Sequence, residues 1–268
     1  MRVVSLTFDD ALDCHLDVAV PLLERHGFRG TFFVPVGAES FTRRLDEWRA
    51  AAGRGHELGN HTMLHPAVRG KGYITEGNAI ENYTLDRMRL ELEAANRILA
   101  GLDGQASRTF AYPCCNSALG QPGLAKRLLR RLCLDRTRLM GWLQRYPWLD
   151  IGSSEQSYES LVDGIFPAAR SGGERLCCGT GYPPRRAAVP CITLDGKTKE
   201  QVGVVLSALE QHERGWLVFM VHGVGGGHRL SVDLAVFAGL LGSLRDSAFS
   251  VLTFRDAAAR IPMAGTHG

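Results

Sequence analysis

Three short segments of this 268-residue chain hold residue types that could do chemistry together. Thr7-Phe8-Asp9-Asp10 ends an apolar run on two adjacent carboxylates. In His61-Thr62-Met63-Leu64-His65, two imidazoles stand four residues apart. On a helical turn both would face one side and could ligate one metal ion, with a carboxylate from elsewhere completing the set. Phe219-Met220-Val221-His222 delivers a histidine to the end of another apolar run, where a group that titrates near neutral pH can act as general acid or base. Each segment also has an ordinary reading. Asp10 could cap a helix, the histidine pair could be two unrelated surface residues, and His222 could be a core residue satisfied by backbone bonds.

What joins the three is the kind of element that precedes them. Strand candidates fall at residues 3 to 8, 30 to 36, 56 to 60, 108 to 112, 216 to 222 and 249 to 254, and amphipathic helical stretches lie between them. That alternation is the pattern of an α/β fold with a parallel sheet. The clearest helix runs from Thr84 to about Leu102, with Leu85, Met88, Leu92, Ala95 and Leu99 on one face. Another opens at Thr198 with Gln201 three residues on, a capping-box signal. All three chemical segments follow strands, so in a β/α barrel they would converge on one rim. The polar stretch from His65 to Asn82 reads as a functional loop over that rim. Residues 134 to 190 have no readable period, because glycines and the Pro183-Pro184 pair interrupt it.

Composition limits the possible partners. With 31 Lys+Arg against 28 Asp+Glu, the net charge of +3 is too even for a nucleic-acid or anionic-membrane surface. No run approaches the roughly 18 apolar residues of a membrane span. The N-terminus lacks the regions of a signal peptide, which reads as cytoplasmic, or as secreted if a leader has been removed. The seven cysteines include two adjacent pairs and no zinc-ribbon spacing, which fits free thiols. A single domain over 1 to 268 is the expectation, with no internal repeat. The composition says nothing about oligomeric state.

The order of the motifs adds a family resemblance. Thr7-Phe8-Asp9-Asp10, then His61-x-x-x-His65, then Phe110-Ala111-Tyr112-Pro113, then Met220-Val221-His222 closely resemble the polysaccharide deacetylases of carbohydrate esterase family 4, the NodB-homology domain. The resemblance implies a distorted (β/α) barrel, usually of seven strands, and a metal-dependent hydrolase that removes acetyl groups from sugars. By the same resemblance, Asp10, His61 and His65 are the metal ligands, Asp9 the general base and His222 the general acid. The backbone N–H of Cys114 would help hold the oxyanion, and Tyr112, Pro113 and Met220 would line the substrate pocket. One divalent ion is implied, zinc foremost, with cobalt, nickel or manganese also compatible. The implied partner is an acetylated carbohydrate, an N-acetylated amino sugar foremost. The alternatives are an O-acetyl ester of xylan or another glycan, a small non-sugar amide, and a carbohydrate-binding protein that lost catalysis.

The chain departs from the family pattern at two positions. Relatives commonly carry an arginine in the middle motif that pairs with the catalytic aspartate, and here that position is Ala111. Arg108 is three residues away and should point to the opposite face of the strand. A glycine often closes the motif where this chain has Cys115, a restriction if the turn requires positive φ. The aspartate that tunes the acid histidine could be Asp150, Asp163 or Asp195, and the tryptophan beside the acetyl group could be Trp142 or Trp148. Gly223 to His228 lacks P-loop spacing and reads as a flexible edge of the site, with His228 as an exposed loop histidine. His15, His26, His56, His212 and His267 read as structural or solvated.

Overall fold

The computed structural model of the chain describes residues 1–132, 134 and 138–264, so Cys133 and His267 lie outside the described residues. In strand β1 (Arg2–Asp9) the period of two divides the side chains between two environments. Val4, Leu6 and Phe8 pack outward into the larger core, with Leu240, Leu241 and Leu244 of helix α3 (Leu234–Arg245). Val3 faces the other way, into a smaller core with Phe33, Ala111, Trp216 and Val218. Ser5, Thr7 and Asp9 share the face of Val3, and all three are buried.

Around β1 stand β2 (Thr31–Val34), β3 (Glu57–Asn60), β4 (Phe110–Ala111) and β5 (Ala169–Arg170) on one side, and β7 (Gly215–Val221) on the other, all parallel. The stretch from 189 to 193 links the two edges. Val189 bridges Arg170, while β6 (Ile192–Thr193) pairs with Phe219 and Met220 of β7. These seven parallel strands form the wall of the distorted α/β barrel expected from the family resemblance, with Ser250–Val251 as a further short parallel strand beside β1 and Cys177–Cys178 antiparallel to β7. Strands β5 and β6 have two residues each, too few to show a period in the sequence. The expected last strand shrinks to Ser250–Val251, because Thr253 caps helix α4 (Phe254–Arg260) by accepting the Asp256 N–H.

Both helices legible in the sequence form. Helix α1 (Leu85–Asp103) starts at the Thr84 cap, ends at Gly104 with φ 72°, and buries Met88, Leu92, Ala95 and Leu99. Leu85, expected on that face, is exposed. Helix α2 (Lys199–Glu210) opens on the full Thr198–Gln201 capping box.

The N-terminal end of the barrel is closed. Phe254 enters the interior with its ring 4.8 Å from Trp216 and 5.7 Å from Phe33. Beneath it the buried Glu57 carboxyl accepts from Thr31 Oγ1, Thr109 Oγ1 and the Arg255 N–H. Gly59 is obligatory on the inner face of β3, because a Cβ there would lie 2.4 Å from the Phe33 ring.

Candidate metal and catalytic site

The open end of the barrel gathers the residues that follow the strands. β1 delivers Asp9 and Asp10, β3 delivers His61 and β7 delivers His222. Asp10 Oδ1 lies 3.3 Å from His65 Nε2 and 3.7 Å from His61 Nε2. Ligand atoms on a tetrahedral zinc-type ion stand roughly 3.3 Å apart, so these three donors suit one small divalent cation. The donor chemistry agrees. His61 donates from Nδ1 to the Ala111 carbonyl at 2.8 Å, which leaves the Nε2 lone pair facing Asp10. Burial lowers the His61 pKa to about 4, with Asp9 and Asp10 opposing, so the imidazole is neutral and able to ligate at ordinary pH.

The histidine spacing works differently from the helical turn expected. Residues 61 to 65 form a loop in which Thr62 and His65 have φ of 69° and 50°. Asn60 Oδ1 accepts the Thr62 N–H, Thr62 Oγ1 accepts the His65 N–H, and Glu91 of α1 accepts the Leu64 N–H. A short hydrogen-bonded loop, pinned to β3 and α1, thus brings the two rings to 4.9 Å.

Asp9 is buried on the inner face, with Oδ2 accepting from Arg170 Nη2 and Oδ1 without a hydrogen-bond partner among the described residues. Burial alone would raise its pKa. Arg170, followed by His61 and His222, more than reverses this and holds the carboxylate below its usual range. Arg170 is the residue that the sequence reading missed. It sits in register with Ala111 on the neighbouring strand, so the guanidinium absent at position 111 arrives from β5 and stacks over Phe33 at 5.1 Å. Arg108 faces away and pairs with Asp103 and the Leu58 carbonyl. The adjacent pairing of two short strands was the only signal, and it exists only in three dimensions.

Of the three aspartates considered for tuning His222, only Asp195 reaches it. Its Oδ2 accepts from His222 Nδ1 at 2.5 Å and its Oδ1 accepts the His222 N–H at 3.0 Å. Burial would lower the His222 pKa, but the Asp195 bond and the charges of Asp9 and Asp10 push it up to about 9. Asp150 instead accepts from Gly123 N–H and Lys126 N–H, and Asp163 pairs with Arg186. His15 is buried beneath the site and braces it by donating from Nε2 to the His222 carbonyl at 2.6 Å.

These groups open into a cavity of about 1120 Å³, which Met220, Met63, Cys114, Cys115, Tyr73 and His228 also line. Met220 occupies the expected place. Tyr112 and Pro113 do not line the cavity: both are buried, and the Tyr112 hydroxyl donates to the Ala187 carbonyl within the core around Phe110 and Tyr158. The exposed Trp142 and Trp148 also lie outside its lining. Cys114 and Cys115 have φ of 51° and 57°, so the turn does require the conformation glycine favours. Of the seven non-glycine residues with positive φ among those described, six (Asp10, Ala11, Thr62, His65, Cys114 and Cys115) lie at this rim. At about 1–3 kcal/mol each, strain concentrated this way marks a site where geometry is held for a purpose.

Comparison with known proteins gives a family match over part of the chain and a likeness of fold over nearly all of it. Residues 1–118 match the family model for polysaccharide deacetylase. A gellan lyase from Bacillus sp is 32% identical over 111 residues, 41% of this chain and only 4% of that protein's length. A putative polysaccharide deacetylase from Mycobacterium smegmatis superposes with a TM-score of 0.58 at 13% identity, over 97% of this chain and 89% of the other. The Xyl-CE4 domain of a multidomain xylanase from the hindgut metagenome of Trinervitermes trinervoides gives 0.54 at 12% identity, over 97% and 90%. A family 4 acetyl xylan esterase from Clostridium thermocellum, in complex with a cobalt ion, gives 0.52 at 14%, over 97% and 93%. At such identities the structural likeness is one of fold. The family match over residues 1–118 bears out the resemblance at its first three motifs, and the superpositions bear out the fold.

Proposed function

We propose that this chain, a homologue of the polysaccharide deacetylases, is a metal-dependent hydrolase that removes acetyl groups from N-acetylated amino sugars. The observation that carries the reading is the convergence of Asp10, His61 and His65 beside a buried, ionised Asp9, with a protonated His222 also within reach of Asp10. A divalent cation held by those three residues would supply Lewis acidity towards the acyl oxygen. Two imidazoles and a carboxylate suit zinc, cobalt, nickel or manganese.

The remaining steps belong to the chain's own groups. Asp9 Oδ1 has no hydrogen-bond donor among the described residues and is free to accept a proton from the attacking water, while Arg170 keeps Oδ2 ionised. His222, held protonated by Asp195, can donate to the departing amine, the step that an amide requires and an ester needs less. Cys114 lines the cavity, and by the family resemblance its backbone N–H is the donor we assign to the developing oxyanion. A carbohydrate-binding protein without catalysis, a reading that Ala111 and Cys115 both favoured, loses its first ground, because Arg170 supplies the guanidinium missing at Ala111, while Cys115 adopts the positive φ the turn requires.

The test is acetate release from N-acetylchitotetraose by protein loaded with zinc, cobalt, nickel or manganese in turn. Release that stops on chelation and in Asp9→Asn, with metal content unchanged in that variant, is the expected result. Metal-independent release, or full turnover by Asp9→Asn, would overturn the reading.

A further inference from the structure

Two cations stand at the mouth of the cavity with no acid opposite them. Lys71 comes from the loop after His65, and Arg229 from the loop after His222. Both are exposed, and neither forms an ion pair among the described residues, although the chain as a whole carries almost as many acids as bases. Among the described residues, the only carboxylates lining the cavity are Asp9 and Asp10, which are committed to the catalytic centre. The mouth is therefore positive while the floor holds the two aspartates.

Lys71 is also held in place. Its Nζ lies 3.2 Å from Cys114 Sγ and 5.9 Å from the centre of the Tyr73 ring, and the Tyr73 hydroxyl lies 3.1 Å from the same sulfur. Cys114, whose backbone is fixed in the left-handed region, thus ties the loop to the rim at one point. Tyr73 is 59% exposed and its ring centre lies 6.1 Å from His65, a flat apolar face of the kind on which a pyranose ring packs, next to the candidate metal ligands. His228 extends the opposite wall, its ring stacked on His222 with centres 5.4 Å apart.

We propose that the substrate is an acidic glycan, in which the sugar bearing the acetamide adjoins a carboxylate or phosphate that Lys71 and Arg229 receive while Tyr73 packs against a sugar ring. The inference rests on the deacetylase reading of the same site and names its substrate class. Two exposed cations without an ion-pair partner among the described residues favour an anion in encounter and, more weakly, in the bound complex, and added salt weakens that preference.

The experiment compares kcat/KM for acetate release from neutral N-acetylchitotetraose, from a hyaluronan tetrasaccharide carrying glucuronate, and from an oligomer of N-acetylglucosamine 1-phosphate. Binding of each to Asp9→Asn protein is measured by calorimetry. At low salt, an acidic substrate is expected to exceed the neutral one by roughly tenfold. The two acidic arms tell carboxylate from phosphate. The ratio should collapse in Lys71→Gln with Arg229→Gln, and on raising salt, but survive in Lys71→Arg. Equal values for acidic and neutral substrates, or a ratio unmoved by the double substitution, would overturn the inference while leaving deacetylation standing. If no substrate releases acetate, the deacetylase reading falls, and calorimetry still decides this one: tighter binding of an acidic oligosaccharide that the double substitution removes supports it, and indifferent binding sinks it.

Discussion

The two ends of the barrel treat a buried carboxylate in opposite ways. At the open rim Asp9 meets Arg170 and two histidines, and its pKa is lowered despite burial. At the closed end Glu57 meets only two threonine hydroxyls, a backbone N–H and a more distant Arg255 charge, and burial raises its pKa. Hydroxyl and amide donors satisfy a carboxyl without fully compensating its charge, whereas a guanidinium stabilises the ionised form directly. The rim also carries six strained backbone positions, while the base is made of regular strands and a capped helix. One end is built to keep an acid reactive; the other uses an acid as a structural pin.

The largest expected effect tests the rim. Asp9→Asn should reduce acetate release by about 10²- to 10⁴-fold and also cost stability, since the amide keeps the volume of the carboxylate but leaves the buried Arg170 guanidinium without its counter-charge. Kinetics and denaturant titration on the same preparation check this, and full turnover or native stability in the variant would erase the distinction between the ends. Next comes Arg170→Met, which leaves Asp9 buried without its partner. It should cost about 3–5 kcal/mol by denaturant unfolding and move the Asp9 pKa upward. Ala111→Arg added to that variant should restore part of both, because the two positions are neighbours in register on the inner face.

A smaller effect is expected from Asp195→Asn. Removing the carboxylate takes away the largest contribution that raises the His222 pKa, so the alkaline limb of the activity profile, expected near pH 9 in the native protein, should move towards the ordinary histidine value of 6.5, with about 10- to 100-fold lower turnover. An unmoved limb would remove His222 from the role of acid.

The smallest effect belongs to Glu57→Gln, and its sign comes from linkage. A carboxyl with a raised folded pKa binds more protons folded than unfolded, so its contribution to stability is present below its ordinary value of 4.5 and is lost as pH rises through the folded pKa. Asp9 has the opposite sign: its contribution is present above 3.8 and is lost as pH falls through its lowered pKa. Glu57→Gln should therefore match or exceed the native melting temperature at pH 7 to 8 and fall behind it near pH 4, by about 2–4 °C per kcal/mol. A melting temperature lower at every pH would mean that the charged form is what the base requires.

Legibility of the sequence followed element length except at β4, a two-residue strand within the expected stretch 108 to 112. Strands β1, β2, β3 and β7, of four to eight residues, carry enough period to be seen, and they deliver Asp9, Asp10, His61 and His222. Strands β5 and β6 have two residues each, and they or the turn just beyond them deliver Arg170 and Asp195. The family match ends at residue 118, ahead of both. Tyr112 shows the converse error: its motif was legible, but neighbouring aromatic rings and the Ala187 carbonyl turned it into the core.

The sequence by itself determined the α/β class and the chain order of the motifs, which depend on local period and residue type, and the family resemblance carried by that order implied the barrel and the five groups that converge at the rim. Only the tertiary structure decided which cation keeps Asp9 ionised and which carboxylate keeps His222 protonated. Both are pairings between segments 161 and 27 residues apart, fixed by which strands lie side by side, and no local pattern encodes that adjacency.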